Sequence, residues 1–295
     1  MNRETPIGGE ERARYVREMF GGIARRYDFL NRLLSVGRDR SWRRRAAKAC
    51  ARELLDVSSR DREVAGMLAG GEGSPLGGIP ATLRSRLEEV IVLDLCCGTG
   101  DLAMAVARRM PESRVIACDF ARPMLALARR KFAEAGLSGR AAILEADALA
   151  LPLPDASVDA ITCAFGLRNL ADPGRGLAEM LRVLRPGCAA VILEFHPPPG
   201  RGLLAGAFRL YFRRILPTLG AWISGSRHGG YRYLVTSVEA FSAPEATAAA
   251  IGRAGFESVR IEPLTAGVVS LFVGRKPAQA RKHSAAVLPN RRAKE

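Results

Sequence analysis

From residue 90 onward, short apolar runs alternate with longer segments in which apolar residues recur every three or four positions. The runs predict strands and the longer segments predict helices, because side chains alternate between faces in a strand and repeat about every 3.6 residues in a helix. Strands are predicted at 90–95, 114–119, 140–145, 157–164 and 188–195, and helices at 101–110, 121–135 and 173–184. This alternation predicts an α/β fold with a mostly parallel sheet.

The last part of the chain follows a different pattern. A predicted helix at 243–254 precedes predicted strands at 257–263 and 267–274, which only Leu-Thr-Ala-Gly separates. Parallel neighbours need a crossover of about a dozen residues, so the short connection predicts an antiparallel hairpin. A mostly parallel seven-stranded sheet that ends in an antiparallel hairpin resembles the class I S-adenosyl-L-methionine (SAM)-dependent methyltransferases, whose α/β fold is Rossmann-like.

The first two predicted strands carry the pattern of a cofactor site. The first runs into Cys-Cys-Gly-Thr-Gly, where Gly98 and Gly100 allow the backbone to approach a ligand, and the second ends at Asp119. A carboxylate there accepts hydrogen bonds from ribose hydroxyls, so the arrangement is typical of proteins that bind an adenosine-bearing cofactor. The alternative for Asp119 is a cap on the helix that begins near Arg122.

The spacing within the turn distinguishes two classes of cofactor. The dinucleotide fingerprint requires Gly-x-Gly-x-x-Gly, but Cys96 stands at its first position and Asp101 at its third. The shorter turn resembles that of the SAM-dependent methyltransferases, which have no pyrophosphate to bind. Thr99 in this turn can contact the methionine end of SAM, or it can simply stabilise the turn.

Regions outside the alternating pattern differ in composition. Apolar residues at helical spacing predict an N-terminal helical cap over residues 1–50. The periodicity breaks from residue 56 and a stretch rich in Gly, Pro and Ser follows, so residues 51–89 are predicted to form a flexible insertion. A methyltransferase domain is expected over 90–276, and a basic disordered tail over 277–295.

Most of the formal net charge of +15 lies near the two ends of the chain. Residues 1–48 hold 13 Lys/Arg and 6 Asp/Glu, residues 275–295 hold 7 and 1, and the remaining 226 residues therefore contribute only +2. This distribution favours attachment to an anionic surface over a basic groove for nucleic acid. No uncharged run exceeds 12 residues, which is too short for a transmembrane helix of about 20.

The six cysteines form no Cys-x-x-Cys pair, and most of them fall in or beside the predicted strands. Neither a metal site nor a disulfide framework is expected from this spacing. Buried cysteines in a reducing cytoplasm are the simpler interpretation, so we expect a cytoplasmic protein.

Several stretches together resemble one family, the quinone-biosynthesis C-methyltransferases, which methylate demethylmenaquinone or the ubiquinone precursor 2-methoxy-6-polyprenyl-1,4-benzoquinol. These stretches are 20–31, 93–101, Ala-Phe-Gly-Leu-Arg-Asn at 164–169, 184–187, 193–195, Tyr-Arg-Tyr-Leu at 231–234 and 264–269. The resemblance covers about 16–50 and 90–276, and the segment at 56–88 is longer than the family usually has. The Cys-Cys-Gly-Thr turn leans towards the naphthoquinol enzymes.

The resemblance implies SAM as the cofactor and assigns several positions to it. Thr99 is a SAM-contacting position, and Asp147 with Ala148 after the third predicted strand corresponds to the adenine contact. By itself, Asp147 can also be an ordinary polar loop residue. The family often has Ser at the end of its fourth strand, where this chain has Ala164, so one side-chain contact to SAM is expected to be absent.

Two polar residues follow the fourth predicted strand, beside the expected position of the methyl group. Arg168 can hold a quinol oxygen as it becomes a phenolate, and Asn169 can orient that oxygen. Strand carboxyl ends are where ligands bind in such sheets. The alternative for Asn169 is a helix cap, although Asp172 followed by Pro173 is the better cap.

Five further residues are candidates with structural alternatives. Tyr27 and Asp28 lie on the predicted N-terminal helix, which covers the cofactor in such enzymes. Tyr231 and Tyr233 can line a substrate pocket, but core packing is an equal alternative for each tyrosine. His196 stands at a strand end as a possible base, although a lone histidine followed by three prolines is more often structural.

The implied partner is a reduced polyprenyl quinol, because an oxidised quinone ring is electrophilic. The polyprenyl tail resides in the membrane, so the enzyme must meet it at the bilayer surface. The basic ends of the chain and a predicted amphipathic helix at 201–224 fit peripheral contact with an anionic membrane. A core helix that covers the pocket is the alternative for 201–224. The sequence does not indicate an oligomeric state.

Three rival interpretations remain open. The chain can be a SAM-dependent methyltransferase of another small molecule, although the 231–234 and 264–267 motifs argue against it. It can be an RNA methyltransferase, but no Asn-Pro-Pro-Tyr motif follows the fourth predicted strand. It can also be a non-catalytic SAM-binding subunit of a quinone-synthesis complex, which the intact acidic positions do not exclude.

Overall fold

A seven-stranded sheet forms the centre of the molecule in a computed structural model that describes residues 9–68, 90–197 and 230–278. The strands are β1 (Val90–Leu95), β2 (Ser113–Asp119), β3 (Ala141–Glu145), β4 (Val158–Ala164), β5 (Leu184–Phe195), β6 (Glu257–Leu264) and β7 (Val269–Arg275). Their order is β3-β2-β1-β4-β5-β7-β6, and β7 is antiparallel to both of its neighbours. The predicted fold class, a mostly parallel sheet that ends in an antiparallel hairpin, is confirmed.

Seven α-helices accompany the sheet in the described residues. They are α1 (Gly9–Leu34), α2 (Asp39–Leu68), α3 (Asp101–Arg109), α4 (Arg122–Glu134), α5 (Pro173–Val183), α6 (Gly230–Glu239) and α7 (Pro244–Arg253). Short 3₁₀ turns span Leu167–Asn169 and Thr265–Gly267. The helices predicted after β1, β2, β4 and before β6 are confirmed to within two residues, because each has a clear apolar face.

The N-terminal region divides into two helices with different environments. The chain turns between Ser35 and Arg38, where Gly37 has a φ of 74°. Beyond the turn, Trp42, Ala46 and Cys50 of α2 are buried in the same core as the inner residues of the sheet. The residues predicted as one helical cap therefore include a helix that packs on the sheet.

Helix α2 also continues past the residue at which the helical periodicity was expected to end. The expected break at residue 56 is wrong, since α2 extends to Leu68. Arg, Glu, Ala, Met and Leu favour helix on their own, even where apolar spacing is lost. The rest of the predicted insertion, the predicted helix 201–224 and nearly all of the predicted tail lie outside the described residues.

The segment that follows α5 contains a proline and a glycine, and it lies at the start of the next strand. Arg185, Pro186 and Gly187 belong to β5, whose pairing with β4 shifts between Leu184 and Ala189. Gly187 has a φ of 79°. A β-bulge tolerates both a proline and a left-handed glycine, so a helix-terminating sequence is accommodated inside a strand.

The core lies on both faces of the sheet, as a parallel sheet requires. Leu93 and Leu95 point to one buried cluster and Val92 to the other. The segments that follow β1, β2 and β4 therefore start from a well-packed sheet. No helix among the described residues is long and apolar enough to cross a bilayer.

Candidate functional site

The glycine turn after β1 has a backbone that only glycine adopts easily at two positions. Gly98 has a φ of 54° and Gly100 a φ of 81°, both in the left-handed region. A Cβ atom on Gly100 would lie 2.7 Å from the Phe132 ring of α4. Gly100 therefore has two roles. It adopts the left-handed turn, and its lack of a side chain lets the start of α3 pack against Phe132 of α4.

Asp119, at the end of β2, forms hydrogen bonds to both the glycine turn and the residue that precedes α4. Its Oδ2 accepts a hydrogen bond from the Gly98 amide at 2.8 Å, and its Oδ1 accepts one from the Ala121 amide at 2.9 Å. Burial raises the pKa of the Asp119 carboxyl, and the backbone amides that it binds lower the pKa by a smaller amount. The N-cap of α4 is Ala121, so the alternative of Asp119 as the helix cap is wrong.

A cavity lies at the carboxyl ends of β1, β2 and β3, with about 390 Å³ of space including its open side. It brings together four predicted site residues, Asp119, Asp147, Ala148 and Asn169. Its other walls include Ala13, Leu95, Cys96, Phe120, Leu149 and Leu170. Two carboxylates between apolar walls suit an adenosine, which offers hydroxyl and amino donors on a flat apolar ring.

The third strand contributes one exposed and one buried residue to this cavity. Asp147 is exposed, and its Oδ1 accepts a hydrogen bond from the Leu149 amide at 2.9 Å. Ala148 is buried beside it. This turn fixes the Asp147 carboxylate at the rim while it presents a small apolar surface inside.

Thr99 lies outside that cavity, in a polar cluster that joins α1 to the glycine turn. Its hydroxyl donates to Asp28 Oδ1 at 2.6 Å and accepts from Lys131 Nζ at 2.9 Å. Lys131 Nζ also lies 2.6 Å from Asp28 Oδ2 and 2.6 Å from Asp101 Oδ1. The predicted site residues Thr99 and Asp28 are thus direct partners, and Lys131 is a functional candidate that sequence reasoning missed.

Tyr27 covers the glycine turn from α1, next to Asp28. A Cβ atom on Gly98 would lie 3.9 Å from Tyr27 Cε1, so the ring is in ordinary van der Waals range of this glycine. Burial raises the pKa of the Tyr27 phenol, although Asn31 and two arginines lower it in part. The predicted placement of this helix over the cofactor turn agrees with these contacts.

Arg168 is buried in an ion pair. Its Nη1 lies 2.5 Å from Glu194 Oε1 and donates to the Phe165 carbonyl at 2.8 Å, and its amide donates to Glu194 Oε2 at 3.2 Å. Its guanidinium also lies 5.5 Å from the Phe195 ring centroid. In the sequence, Glu194 stood out only as part of the 193–195 family stretch. Nothing near it in the chain predicted that it pairs with Arg168.

Asn169 has polar partners on both ends of its amide. Its Nδ2 donates to the Phe165 carbonyl at 3.0 Å, and its Oδ1 accepts from the Tyr233 hydroxyl at 3.3 Å. The alternative of Asn169 as a helix cap is wrong, because Asp172 caps α5 by accepting from the Arg175 amide. Asn169 is therefore the polar group that follows β4 and faces the cavity.

Both Arg168 and Asn169 bind the carbonyl of Phe165, which has the unusual φ of 60°. A non-glycine residue in the left-handed region is strained by about 1 kcal/mol or more. The Phe165 ring stacks on Phe195 at 4.5 Å and meets Trp42 edge-on at 6.1 Å. Aromatic packing and two hydrogen bonds thus hold a strained turn at the carboxyl end of β4.

Asp94, inside β1 beneath the glycine turn, is a second candidate that sequence reasoning missed. It is buried, and its Oδ1 accepts from the Thr162 hydroxyl at 2.7 Å. Burial raises the pKa of Asp94 to about 7, against the lowering effect of the Thr162 and Ala103 hydrogen bonds. An acidic residue within an otherwise apolar predicted strand was the available signal.

The remaining candidates are distributed as follows. His196 is fully buried against Phe241 and Phe272, its Nδ1 lies 2.8 Å from the Ser242 carbonyl, and burial lowers the pKa of its imidazole. This environment matches the structural alternative. Ala164 ends β4 and packs against the core, and it is not among the residues that line the cavity. Tyr231 lies in α6, but its side chain is outside the described part of the structure.

Comparison with known proteins identifies the family. The model of the ubiE/COQ5 methyltransferase family matches residues 81–276. The chain belongs to this family. It is therefore a methyltransferase, and SAM is its methyl donor.

Relatives match over nearly the whole chain. A protein of Thermus thermophilus named demethylmenaquinone methyltransferase is 48% identical over 88% of this chain and 100% of its own length. A protein of the same name from Deinococcus radiodurans is 44% identical over 92% of this chain and 97% of its own. A Geobacter sulfurreducens protein named ubiquinone/menaquinone biosynthesis C-methyltransferase UbiE is 39% identical over 90% of each.

Proposed function

We propose that this chain methylates a ring carbon of a reduced polyprenyl quinol, and that demethylmenaquinol is its substrate. The observation that carries the proposal is similarity, over 88% and 92% of this chain, to two proteins named demethylmenaquinone methyltransferase, at 48% and 44% identity. The Cys-Cys-Gly-Thr turn, which resembles that of the naphthoquinol enzymes, also favours demethylmenaquinol. The ubiquinone precursor is the second candidate, since the Geobacter relative is named for both quinones.

The cavity beside β2 and β3 is proposed to hold the adenosine part of SAM. Asp119 would accept hydrogen bonds from the ribose hydroxyls, Asp147 would accept one from the adenine amino group, and Ala148 would pack on the ring. The backbone of Gly98, Thr99 and Gly100 would contact the methionine part. When bound, SAM supplies a methyl group on a positively charged sulfur.

The protein side of the reaction consists of positioning and electrostatics. A ring carbon of a quinol becomes nucleophilic when the adjacent hydroxyl loses its proton, and a nearby positive charge favours the phenolate that forms. We propose that Asn169, with Tyr233 behind it, orients the quinol oxygen from the cavity wall. Displacement at a methyl group requires nucleophile, carbon and sulfur in line, so this orientation contributes directly to rate.

Arg168 is proposed to support the same oxygen, although its ion pair modifies the role expected from the sequence. Glu194 neutralises much of its charge, so the field at the substrate is weaker than that of an unpaired arginine. The pair also holds the turn that carries Asn169. Arg168 is thus proposed mainly to position Asn169 and Phe165 at the methyl-transfer site.

The proposed substrate places the enzyme at a membrane surface. A polyprenyl tail stays in the bilayer, so the quinol ring has to be taken from the interface. With a formal net charge of +15, the chain is expected to bind anionic lipid, which suggests peripheral contact at the cytoplasmic face.

The decisive experiment is transfer of labelled methyl from SAM to two chemically reduced quinols offered side by side, demethylmenaquinol and 2-methoxy-6-polyprenyl-1,4-benzoquinol. Preferential labelling of demethylmenaquinol is the expected result. Preference for the benzoquinol would assign the other pathway. If neither is labelled while SAM binds in a thermal-shift assay, the chain methylates another small molecule or serves as a non-catalytic SAM-binding subunit.

A further inference from the structure

One face of α1 exposes large apolar side chains where a surface helix normally carries polar ones. The buried face of the helix contains Val16, Met19 and Ile23. Nearer the C-terminal end of the helix, Phe29 is 58% exposed and Leu33 is 40% exposed. These two lie one turn apart, since residues at i and i+4 are neighbours on a helix.

The turn that follows α1 extends this surface. Val36 is 80% exposed and has a φ of 51°, in the left-handed region that is rare for a β-branched residue. Phe29, Leu33 and Val36 are therefore three of the five large hydrophobic residues that are exposed in the described part of the chain, and they fall within eight consecutive residues. We refer to these three residues as the apolar ridge. Clustered exposure of this kind marks an interaction surface.

Positive charge surrounds the apolar ridge. Residues 29–45 contain six arginines and one acidic residue, Asp39. Asp39 is buried in an ion pair with Arg43 at 2.5 Å, so it does not offset the charge outside. Arg32, Arg38 and Arg40 are exposed beside the ridge. Exposed apolar side chains ringed by arginines complement an anionic bilayer, whose headgroups are negative and whose interior is apolar.

The ridge also lies at the edge of the sheet where the site is. Trp42, one turn into α2, packs against Phe165 and Phe195, which follow β4 and end β5. On the inner side of α1, Asp28 binds Thr99 of the glycine turn. The ridge therefore lies on the chain between two residues, Asp28 and Trp42, that contact the glycine turn and the aromatic residues after β4 and at the end of β5.

We propose that the apolar ridge and its arginines are the surface by which this chain docks on anionic membranes. Phe29, Leu33 and Val36 enter the headgroup layer, and Arg32, Arg38 and Arg40 bind lipid phosphates. This inference rests on the proposed function, because a membrane-resident quinol is what gives the docking its use. It assigns the contact to α1 and the following turn, whereas the sequence pointed to the chain ends and to 201–224.

The test is co-sedimentation of the full chain with vesicles of phosphatidylcholine, with and without phosphatidylglycerol. The triple variant Phe29→Ser/Leu33→Ser/Val36→Ser should lower partitioning onto the anionic vesicles by roughly tenfold or more, because it removes most of the apolar area that enters the bilayer. Ile261→Ser, an exposed isoleucine on β6, is the matched control and should partition like the original protein.

The charge is tested separately. Each of Arg32→Gln, Arg38→Gln and Arg40→Gln should weaken binding to anionic vesicles by about fivefold, as expected for one basic residue near such a surface. Arg108→Gln and Arg109→Gln, at the exposed end of α3, remove the same charge elsewhere and should have little effect. Equal losses in both sets would show that net charge alone binds the vesicles and would overturn the assigned surface.

A water-soluble, short-chain demethylmenaquinol distinguishes failure of this inference from failure of the proposed function. The triple variant should methylate the short-chain quinol at the original rate without vesicles, and long-chain quinol in vesicles more slowly. If the original protein binds vesicles but methylates no quinol, the proposed function fails and the surface stands. If the triple variant partitions onto anionic vesicles like the original protein, the membrane assignment is wrong. It is also wrong if the original protein proves to be a dimer and the only change in the variant is dissociation to a monomer.

Discussion

Lys131 Nζ lies 2.6 Å from Asp28 Oδ2, and this ion pair joins α4 to α1 directly above the glycine turn. Neither residue is near the other in the chain, and both bind the Thr99 hydroxyl. Their side chains are 23% and 31% exposed, so the pair is only partly screened by water. One lysine therefore bridges two carboxylates and contributes to the position of α1 over the cofactor turn.

Replacing this lysine should loosen α1. Lys131→Met leaves Asp28 and Asp101 close together without a cation, and we expect SAM affinity to fall about tenfold, or about 1.4 kcal/mol. Isothermal titration with SAM measures the affinity, and limited proteolysis within α1 reports the loosening. Arg130→Met is the matched control. Arg130 is the residue before Lys131, and its ion pair with Glu134 is exposed. Equal effects of the two variants would contradict the role of Lys131.

SAM binding should depend on the protonation of Asp119. Burial raises the pKa of this carboxyl above 3.8, and only the carboxylate accepts hydrogen bonds at both oxygens from hydroxyl donors. Affinity should therefore be full at neutral pH and be lost as pH falls through the raised pKa, earlier than for an exposed aspartate.

Asp119→Asn provides the comparison for that pH profile. It should bind SAM roughly tenfold to a hundredfold more weakly at neutral pH, as expected for a lost hydrogen bond to a charged group. Its affinity should vary less with pH than that of the original protein. Glu134→Gln, an exposed acid on α4, should leave the profile unchanged. If the SAM affinity of Asp119→Asn depends on pH in the same way as that of the original protein, a group other than Asp119 controls the pH dependence.

Breaking the buried pair of Arg168 and Glu194 should destabilise the fold. Arg168→Met leaves the Glu194 carboxylate buried without a cation, at an expected cost of about 3–5 kcal/mol in the free energy of unfolding. Urea unfolding measures that loss. The double variant Arg168→Met/Glu194→Gln removes both charges and should recover most of the stability.

Methyl transfer separates the structural role of that pair from its role at the site. The double variant should remain slow in methyl transfer, because the turn that presents Asn169 loses its ion pair even when no charge is left unpaired. Recovery of both stability and activity in the double variant would mean that Arg168 only balances Glu194.

Asp94 should make stability decrease with rising pH. Its pKa is about 7 in the folded chain, against 3.8 ordinarily. Between these values the folded protein keeps a proton that the unfolded chain has released, so stability falls as pH rises and levels off above about 7. Each unit of the shift corresponds to about 1.4 kcal/mol, so an effect of a few kcal/mol is expected.

Asp94→Asn tests this prediction because it cannot titrate and still accepts from the Thr162 hydroxyl through its amide oxygen. Urea unfolding at about pH 5 and about pH 8 should show a smaller difference for Asp94→Asn than for the original protein. Parallel pH dependence in the two proteins would show that Asp94 is not the group that makes stability depend on pH.

The amino-acid sequence by itself determined the strands, the helices that cross between them and the cofactor turn. These depend on apolar spacing and on glycine and acid positions within a few residues, such as Gly98, Gly100 and Asp119. The antiparallel end of the sheet was equally predictable, because the connection between β6 and β7 is too short for any other pairing. The family motifs indicated the chemistry of the site.

Only the tertiary structure decided which polar groups are partners. Lys131 with Asp28 and Arg168 with Glu194 come from different elements, and the charge of each residue says nothing about distance. The exposure of Phe29 and Leu33 was not readable from the sequence, because apolar residues at helical spacing resemble a buried face until the packing shows which of them are covered. Side-chain pairing and burial depend on the packing of distant segments, and local sequence patterns do not encode it.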